Sequence, residues 1–276
     1  MIKDIVVRLD ANPQDEVRIA CAEQIAARHD AFVTGIYLNR LPNIAVAGDS
    51  SAVAAQIIVD QQSAALKTGD AGMAALGQRF DRLGVNHDLR RYDVFDWQAG
   101  EVLTTEARTA DLLVDLRPYG HPFEDHQTTE AVMFGSGRST LLLPPGAEVK
   151  DFDTVMVCWI NTREAARAVT EALPILQRAE LTHVVMAKES WDVENADVEP
   201  GADIARHLDR HGVSVELVHI NSDNDTGTAL LGKAAELGAD LIVMGGYGHS
   251  RFREWALGGV TLHILTRTDM PVLVAH

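Results

Sequence analysis

The chain carries the same run of residues twice. Ala110-Asp111-Leu112-Leu113-Val114 returns as Ala239-Asp240-Leu241-Ile242-Val243, and Asp4-Ile5-Val6-Val7 is answered by Asp153-Thr154-Val155-Met156-Val157. Thr140-Leu141-Leu142-Leu143-Pro144 has a counterpart in Pro271-Val272-Leu273-Val274-Ala275. Between the copies lies Pro144-Pro145-Gly146-Ala147-Glu148, a chain-breaking stretch that suits a linker. A repeat of this size is a domain, not a short motif. The expected organisation is therefore two copies of one domain, residues 1–145 and 151–276.

Inside each copy, short apolar runs without alternation are separated by segments of helical periodicity. Such runs suit strands covered on both faces, and strands joined through helices make right-handed parallel crossovers. The first copy reads as strands at 2–9, 31–37, 86–92, 111–116 and 140–143, with helices at 13–29, over 51–83, at 98–108 and near 126–137. The second reads as strands at 154–160, 182–187, 213–220, 240–244 and 272–275, with helices at 163–178, 202–211, 226–237 and 255–267. The fold class is α/β: two repeated domains, each an open five-stranded parallel sheet with helices on both faces. Leu141–Leu143 and Val272–Val274 are apolar edge strands, a hazard when exposed. Pairing them would pack the halves as an intramolecular pseudo-dimer; a homodimer of the whole chain is a further possibility.

Charge narrows the partners. The chain has 24 Lys and Arg against 40 Asp and Glu, a formal net charge of −16. Residues 1–145 hold 13 basic and 20 acidic residues and 146–276 hold 11 and 20, so neither half is basic. Nucleic acid and anionic membrane surfaces need a basic face and are not expected as partners. A small anion remains open, because a few backbone N–H groups hold one locally. No stretch reaches the roughly 18 apolar residues of a membrane helix. The start, Met1-Ile2-Lys3-Asp4, lacks the basic and apolar regions of a signal peptide. Cys21 and Cys158 are too few for a disulfide framework and read as buried thiols. A reducing cytoplasm is the expected location.

Ligands of such sheets sit beyond the carboxyl ends of the strands, where strand order reverses. After Leu241-Ile242-Val243-Met244 comes Gly245-Gly246-Tyr247-Gly248-His249-Ser250, and after seven residues Gly258-Gly259-Val260-Thr261. Two glycine clusters flanking a short segment can aim several N–H groups at one anion, and a helix opened by the second would add its dipole. His249, Arg251 and Arg253 bring positive charge into the segment. A tight turn with a small-residue helix contact is the competing explanation.

This segment resembles the signature of the universal stress protein family: glycine, two residues, glycine, nine residues, glycine, then serine or threonine. Gly245, Gly248 and Gly258 match; Gly259 stands where the hydroxyl residue would be. Met270-Pro271-Val272-Leu273-Val274 looks like the family's last strand, and the resemblance extends over both halves. It implies five parallel strands per domain and, in one subset of the family, ATP held by the glycine loop and by an aspartate after the first strand. A second subset binds no nucleotide. The halves depart from the ATP-binding pattern in opposite ways. Asp10 in Val7-Arg8-Leu9-Asp10 matches the aspartate, but Asp115-Leu116-Arg117-Pro118-Tyr119-Gly120 follows the fourth strand, out of register and short of one N–H at Pro118. Only Gly135-Ser136 there fits the signature's end. In the second half the loop is nearly complete, while Ile160 replaces the aspartate in Val157-Cys158-Trp159-Ile160. Asn161 is the polar group next to it, though with Glu164 it also reads as a capping box, as Asn12 does with Asp15.

The expected site is thus in the second half: Gly245, Gly248, Gly258 and Gly259 as backbone donors, with Met244, His249, Val260 and Asn161 around them and ATP as the ligand. The alternative is a nucleotide-free interaction module with both sites decayed. No general base is in evidence, so no catalysis beyond slow hydrolysis is expected. Asp203, His207 and His211 at i, i+4 and i+8 could hold a metal, but Arg206 and Arg210 beside them suggest a solvated face. Gly135-Ser136-Gly137 lacks the glycine two before the serine of a nucleophile elbow. A Gly-Lys-Ser/Thr phosphate loop is absent, and neither half has a GxGxxG after its first strand. The four tryptophans are scattered and read as packing or surface anchors.

Overall fold

A computed structural model describes residues 1–43, 52–187, 201–221, 225–246 and 259–276, and for 52–54 the backbone alone. The first half runs β1 (Asp4–Leu9), α1 (Asp15–His29), β2 (Phe32–Arg40), α2 (Ala52–Phe80), β3 (His87–Val94), α3 (Asp96–Ala107), β4 (Leu112–Leu116), α4 (His126–Gly135) and β5 (Ser139–Leu143). The second runs β6 (Thr154–Cys158), α5 (Arg163–Leu176), β7 (Leu181–Ala187), α6 (Ala202–Arg210), β8 (Val215–Ile220), α7 (Thr226–Glu236), β9 (Leu241–Gly245), α8 (Gly259–Arg267) and β10 (Val272–Ala275). The expected last helix began at Trp255; residues 255–258 lie outside the described ones.

The strands form one sheet in the order β3-β2-β1-β4-β5-β10-β9-β6-β7-β8. Pairing within each half is parallel. At the centre β5 and β10 meet antiparallel, with Leu142 opposite Val272, Leu141 opposite Leu273 and Thr140 opposite Val274. Both strands are buried along their whole length, as strands covered on both faces must be, and their pairing supplies ladder partners that an open edge would lack. Leu141, Leu142 and Leu273 are sealed from solvent, each burial contributing about 1.5–3 kcal/mol. The core ignores the linker: Met133 and Leu142 of the first half pack with Ile242, Leu265 and Val272 of the second.

Local caps set the helix starts that face the ligand side of the sheet. Asp125 accepts from Thr128 N at 3.1 Å to open α4, and Asp225 accepts from Thr228 N at 3.1 Å to open α7. The cap of α5 is Thr162, whose Oγ1 accepts from Ala165 N at 3.3 Å; the capping box read into Asn161 is not formed. Ahead of α1, Asn12 N donates to Asp15 Oδ2 at 3.2 Å and Asp15 N to the Asn12 carbonyl at 3.0 Å, while the Asn12 side chain accepts from Gln14 N at 2.8 Å.

Candidate functional site

Strand order reverses between β1 and β4 in the first half and between β6 and β9 in the second. The strand registers put the two crevices in correspondence. Val7 lies against Val114, and Val157 against Val243. From there Arg8 answers to Cys158, Asp10 to Ile160, Asp15 to Ala165, Arg18 to Ala168 and Asp115 to Met244. Five charged positions of one crevice are apolar in the other.

In the first half those charges have found one another. Arg18, without solvent exposure, donates through Nη2 to Asp10 at 2.9 Å and to Asp15, and through Nη1 to Asp115 at 3.4 Å. Arg8 reaches Asp10 at 3.2 Å, Asp115 at 3.4 Å and Asp125 at 2.9 Å. Arg40 closes the set on Asp125 at 2.5 Å and Thr128 at 3.0 Å, and Thr129 Oγ1 donates to Asp115 at 2.8 Å. Burial alone would raise the pKa of Asp10; Arg8 and Arg18 outweigh it and hold it at about 2. The aspartate that the family resemblance assigns to adenosine is thus spent on internal ion pairs, and the crevice is filled by its own side chains.

In the second half the same place is a cleft of about 200 Å³. Its floor is Cys158, Val185, Ala187, Leu230 and Met244; Trp159 and Ile160 stand on one side, and Gly259, Val260 and Thr261, the first turn of α8, on another. Among the described residues the polar side chains that line it are Thr162, Thr226, Thr261 and Glu164. Burial would raise the pKa of Glu164, but backbone and Arg163 hydrogen bonds bring it below the usual value, so it is an anion at neutral pH.

The expected residues divide accordingly. Met244, Gly245, Gly259 and Val260 line the cleft. Gly248, His249 and Gly258 lie outside the described residues. Asn161 is exposed and does not line the cleft; its neighbours Ile160 and Thr162 do. Gly245 owes its identity to helix packing, since a Cβ there would stand 2.5 Å from Ala165 N and 2.6 Å from Glu164 C. The amide of Gly246 is engaged by Ala275 O at 2.9 Å. Gly259 by contrast meets no neighbour at its Cβ position among the described residues. Trp159, Thr162, Glu164, Thr226 and Thr261 escaped the sequence reading. Their one signal was position: each follows a strand or opens a helix on the ligand side.

Asp203 turns to Arg206 on the exposed face of α6, and among the described residues no group of three or more His, Cys, Asp or Glu is placed for a metal ion. Among them, too, no helix is long and apolar enough to cross a membrane. Both cysteines are free, and burial pushes their thiols up to about 12. A thiol disulfide reagent at pH 7.5 is expected to leave both unmodified over minutes and to titrate two thiols after denaturation. Fast reaction of native Cys158 would mean that the cleft floor is wetter than its packing shows.

A model of the universal stress protein family matches residues 151–276. A universal stress protein from Archaeoglobus fulgidus DSM 4304 superposes with a TM-score of 0.71 at 14% identity, covering 99% of this chain and 97% of that one. A protein of unknown function from Pseudomonas aeruginosa PAO1 gives a TM-score of 0.59 at 14% identity, with 99% and 92% covered. A universal stress protein solved in complex with cAMP is 24% identical over 46% of this chain and 99% of its own, with a TM-score of 0.36. No curated protein matches the sequence. Residues 151–276 thus match the universal stress protein family model, and the whole chain shares its fold with a universal stress protein along its full length.

Proposed function

We propose that the chain is a cytoplasmic stress-response regulator that binds an adenine nucleotide, ATP, in its second half only. One observation carries the reading: the switch-point crevice is open and apolar between β6 and β9 but filled by ion pairs between β1 and β4. Apolar walls with a few hydroxyls suit a base and a sugar, and the first turn of α8 offers amides to phosphate. Affinity is weak. The aspartate position is Ile160, no serine hydroxyl stands at 259, and Glu164 repels an anion beside it. We expect dissociation in the micromolar range or weaker, about −8 kcal/mol or less favourable. The role is binding, not turnover beyond slow hydrolysis: the acidic side chain on the described walls is paired with Arg163 and poorly placed to take a proton. The antiparallel pairing of β5 with β10 in one sheet supports reading the halves as an intramolecular pseudo-dimer, and a homodimer of whole chains would use other surfaces.

The second reading is a nucleotide-free interaction module. The exposure of Ile160 on the rim and the charge of Glu164 favour it. Calorimetric titration with ATP and GTP, together with mass spectrometry of nucleotide released from the denatured protein, decides between them. Weak binding with little preference for ATP over GTP is expected, and Ile160→Asp should tighten ATP more than GTP. Absence of either nucleotide from both assays hands the case to the second reading.

A further inference from the structure

The chain leaving β4 does not curl over a ligand of its own half. Arg117 Nη1 donates to the carbonyl of Thr266 at 2.6 Å, in the last turn of α8. Helix C-termini leave their final carbonyls unsatisfied and carry negative potential, so a guanidinium there answers both needs. Three residues on, Gly120 has φ of +80°, and a Cβ would stand 2.6 Å from the same Thr266 oxygen. Only glycine allows that approach. Arg117 is itself pinned: its N–H donates to Leu143 O at 2.8 Å, at the end of β5. His121 accepts from Phe123 N through Nδ1, which leaves the proton on Nε2, and that nitrogen meets Arg117 O at 2.5 Å. Tyr119 lies against the core formed by α8 and β10.

The other end of α8 is a wall of the second-half cleft, formed by Gly259, Val260 and Thr261. At 1.5 Å per residue the two ends are about 12 Å apart. Midway, His263 Nε2 lies 3.1 Å from Thr228 Oγ1 and packs on Gly227, so α8 is also braced against α7. A short helix held at its foot and waist presents its first-turn amides at a fixed place. Freed at its foot it would slide or fray, and the phosphate end of the ligand would lose a wall.

We infer that Arg117 of the first half is a positioning residue for the cleft of the second half, acting through α8. The degenerate loop of the first half has thereby become a clamp on its neighbour's site. This rests on the nucleotide reading above, and the test separates the two.

The test compares full-length wild type with Arg117→Met, Arg117→Lys and Gly120→Ala, using calorimetry with ATP and hydrogen exchange resolved to peptides. Arg117→Met should weaken ATP about five- to tenfold, as coupling through such contacts does. It should also speed exchange at residues 259–261 while β6 and β9 stay protected. Arg117→Lys should recover most of the loss. Gly120→Ala should act like Arg117→Met although the charge is kept. Unchanged affinity and unchanged exchange at 259–261 would overturn the inference. So would exchange that rises uniformly, since that reports general loosening. If wild type binds no ATP, the functional reading fails, and exchange at 259–261 in Arg117→Met still decides this one.

Discussion

Arg18→Met is expected to destabilise the protein by about 3–5 kcal/mol, the usual result of removing one partner from a buried ion network. Arg18 is sealed from solvent and contacts Asp10, Asp15 and Asp115. The crevice holds four aspartates, those three and Asp125, against three arginines, Arg8, Arg18 and Arg40. Methionine keeps the stem and leaves the carboxylates facing each other with one cation fewer. Arg18→Lys should lose less, because the charge stays while the fork that reaches three carboxylates does not. Asp10 gives the effect a pH dependence, opposed in part by Asp15, whose carboxyl is pushed up by burial. Asp10 is held at about 2 in the folded protein, below its ordinary value of 3.8. Its stabilisation is therefore present above about pH 4 and is lost as pH falls toward 2. The gap between wild type and Arg18→Met should narrow over that interval. Urea denaturation at pH 7 and pH 3 measures it. A loss under 1 kcal/mol at pH 7 would mean that the network is already wet and the crevice open to ligand.

The same network shows where the sequence was readable. The repeat and the strand positions follow from apolar runs and their spacing, because strands buried on both faces have little choice of residue. Asp10 was read through the family pattern as a ligand group. The contrary signal lay two residues before it: Arg8 sits inside a buried strand and Asp115 inside the strand beside it. Two opposite charges at neighbouring buried positions must meet, since neither tolerates that place alone. Arg18 could not be placed, because its partners come from three separate elements. In the second half Met244 and Val260 were legible as pocket walls from their positions at the carboxyl end of a strand and at a helix start. Asn161 was not, because which of Ile160, Asn161 and Thr162 faces the cleft depends on the turn between β6 and α5. Gly245 was legible as necessary, and the helix contact given as the competing explanation is visible in its packing against α5.

Gly245 of the signature and Gly259, which stands in place of its hydroxyl residue, should therefore respond in opposite directions to nearly the same change. In Gly245→Ala the new methyl would meet Ala165 N at 2.5 Å and Glu164 C at 2.6 Å. Both are backbone atoms in the first turn of α5, so no rotamer change relieves the clash. Either β9 or the start of α5 must shift by roughly an ångström, and overpacking of that kind costs about 1–3 kcal/mol. The shift moves Thr162 and Glu164, which line the cleft, so ATP binding should fall with stability. In Gly259→Ser the new Cβ meets nothing within 4 Å among the described residues, and the position is the exposed start of α8. Serine there avoids the conformational freedom of glycine and adds a hydroxyl toward the phosphate end. Stability should hold or rise slightly. ATP should tighten by up to about tenfold, the worth of one neutral hydrogen bond of about 0.5–1.5 kcal/mol. Paired denaturation curves and ATP titrations of the two variants test both halves of the statement. A Gly245→Ala protein as stable as wild type would show that the α5 turn yields freely, and its glycine would then have to be explained by the ligand. A Gly259→Ser protein with weakened ATP binding would place the phosphates away from α8, and the assignment of that helix to the phosphate end would fall with it.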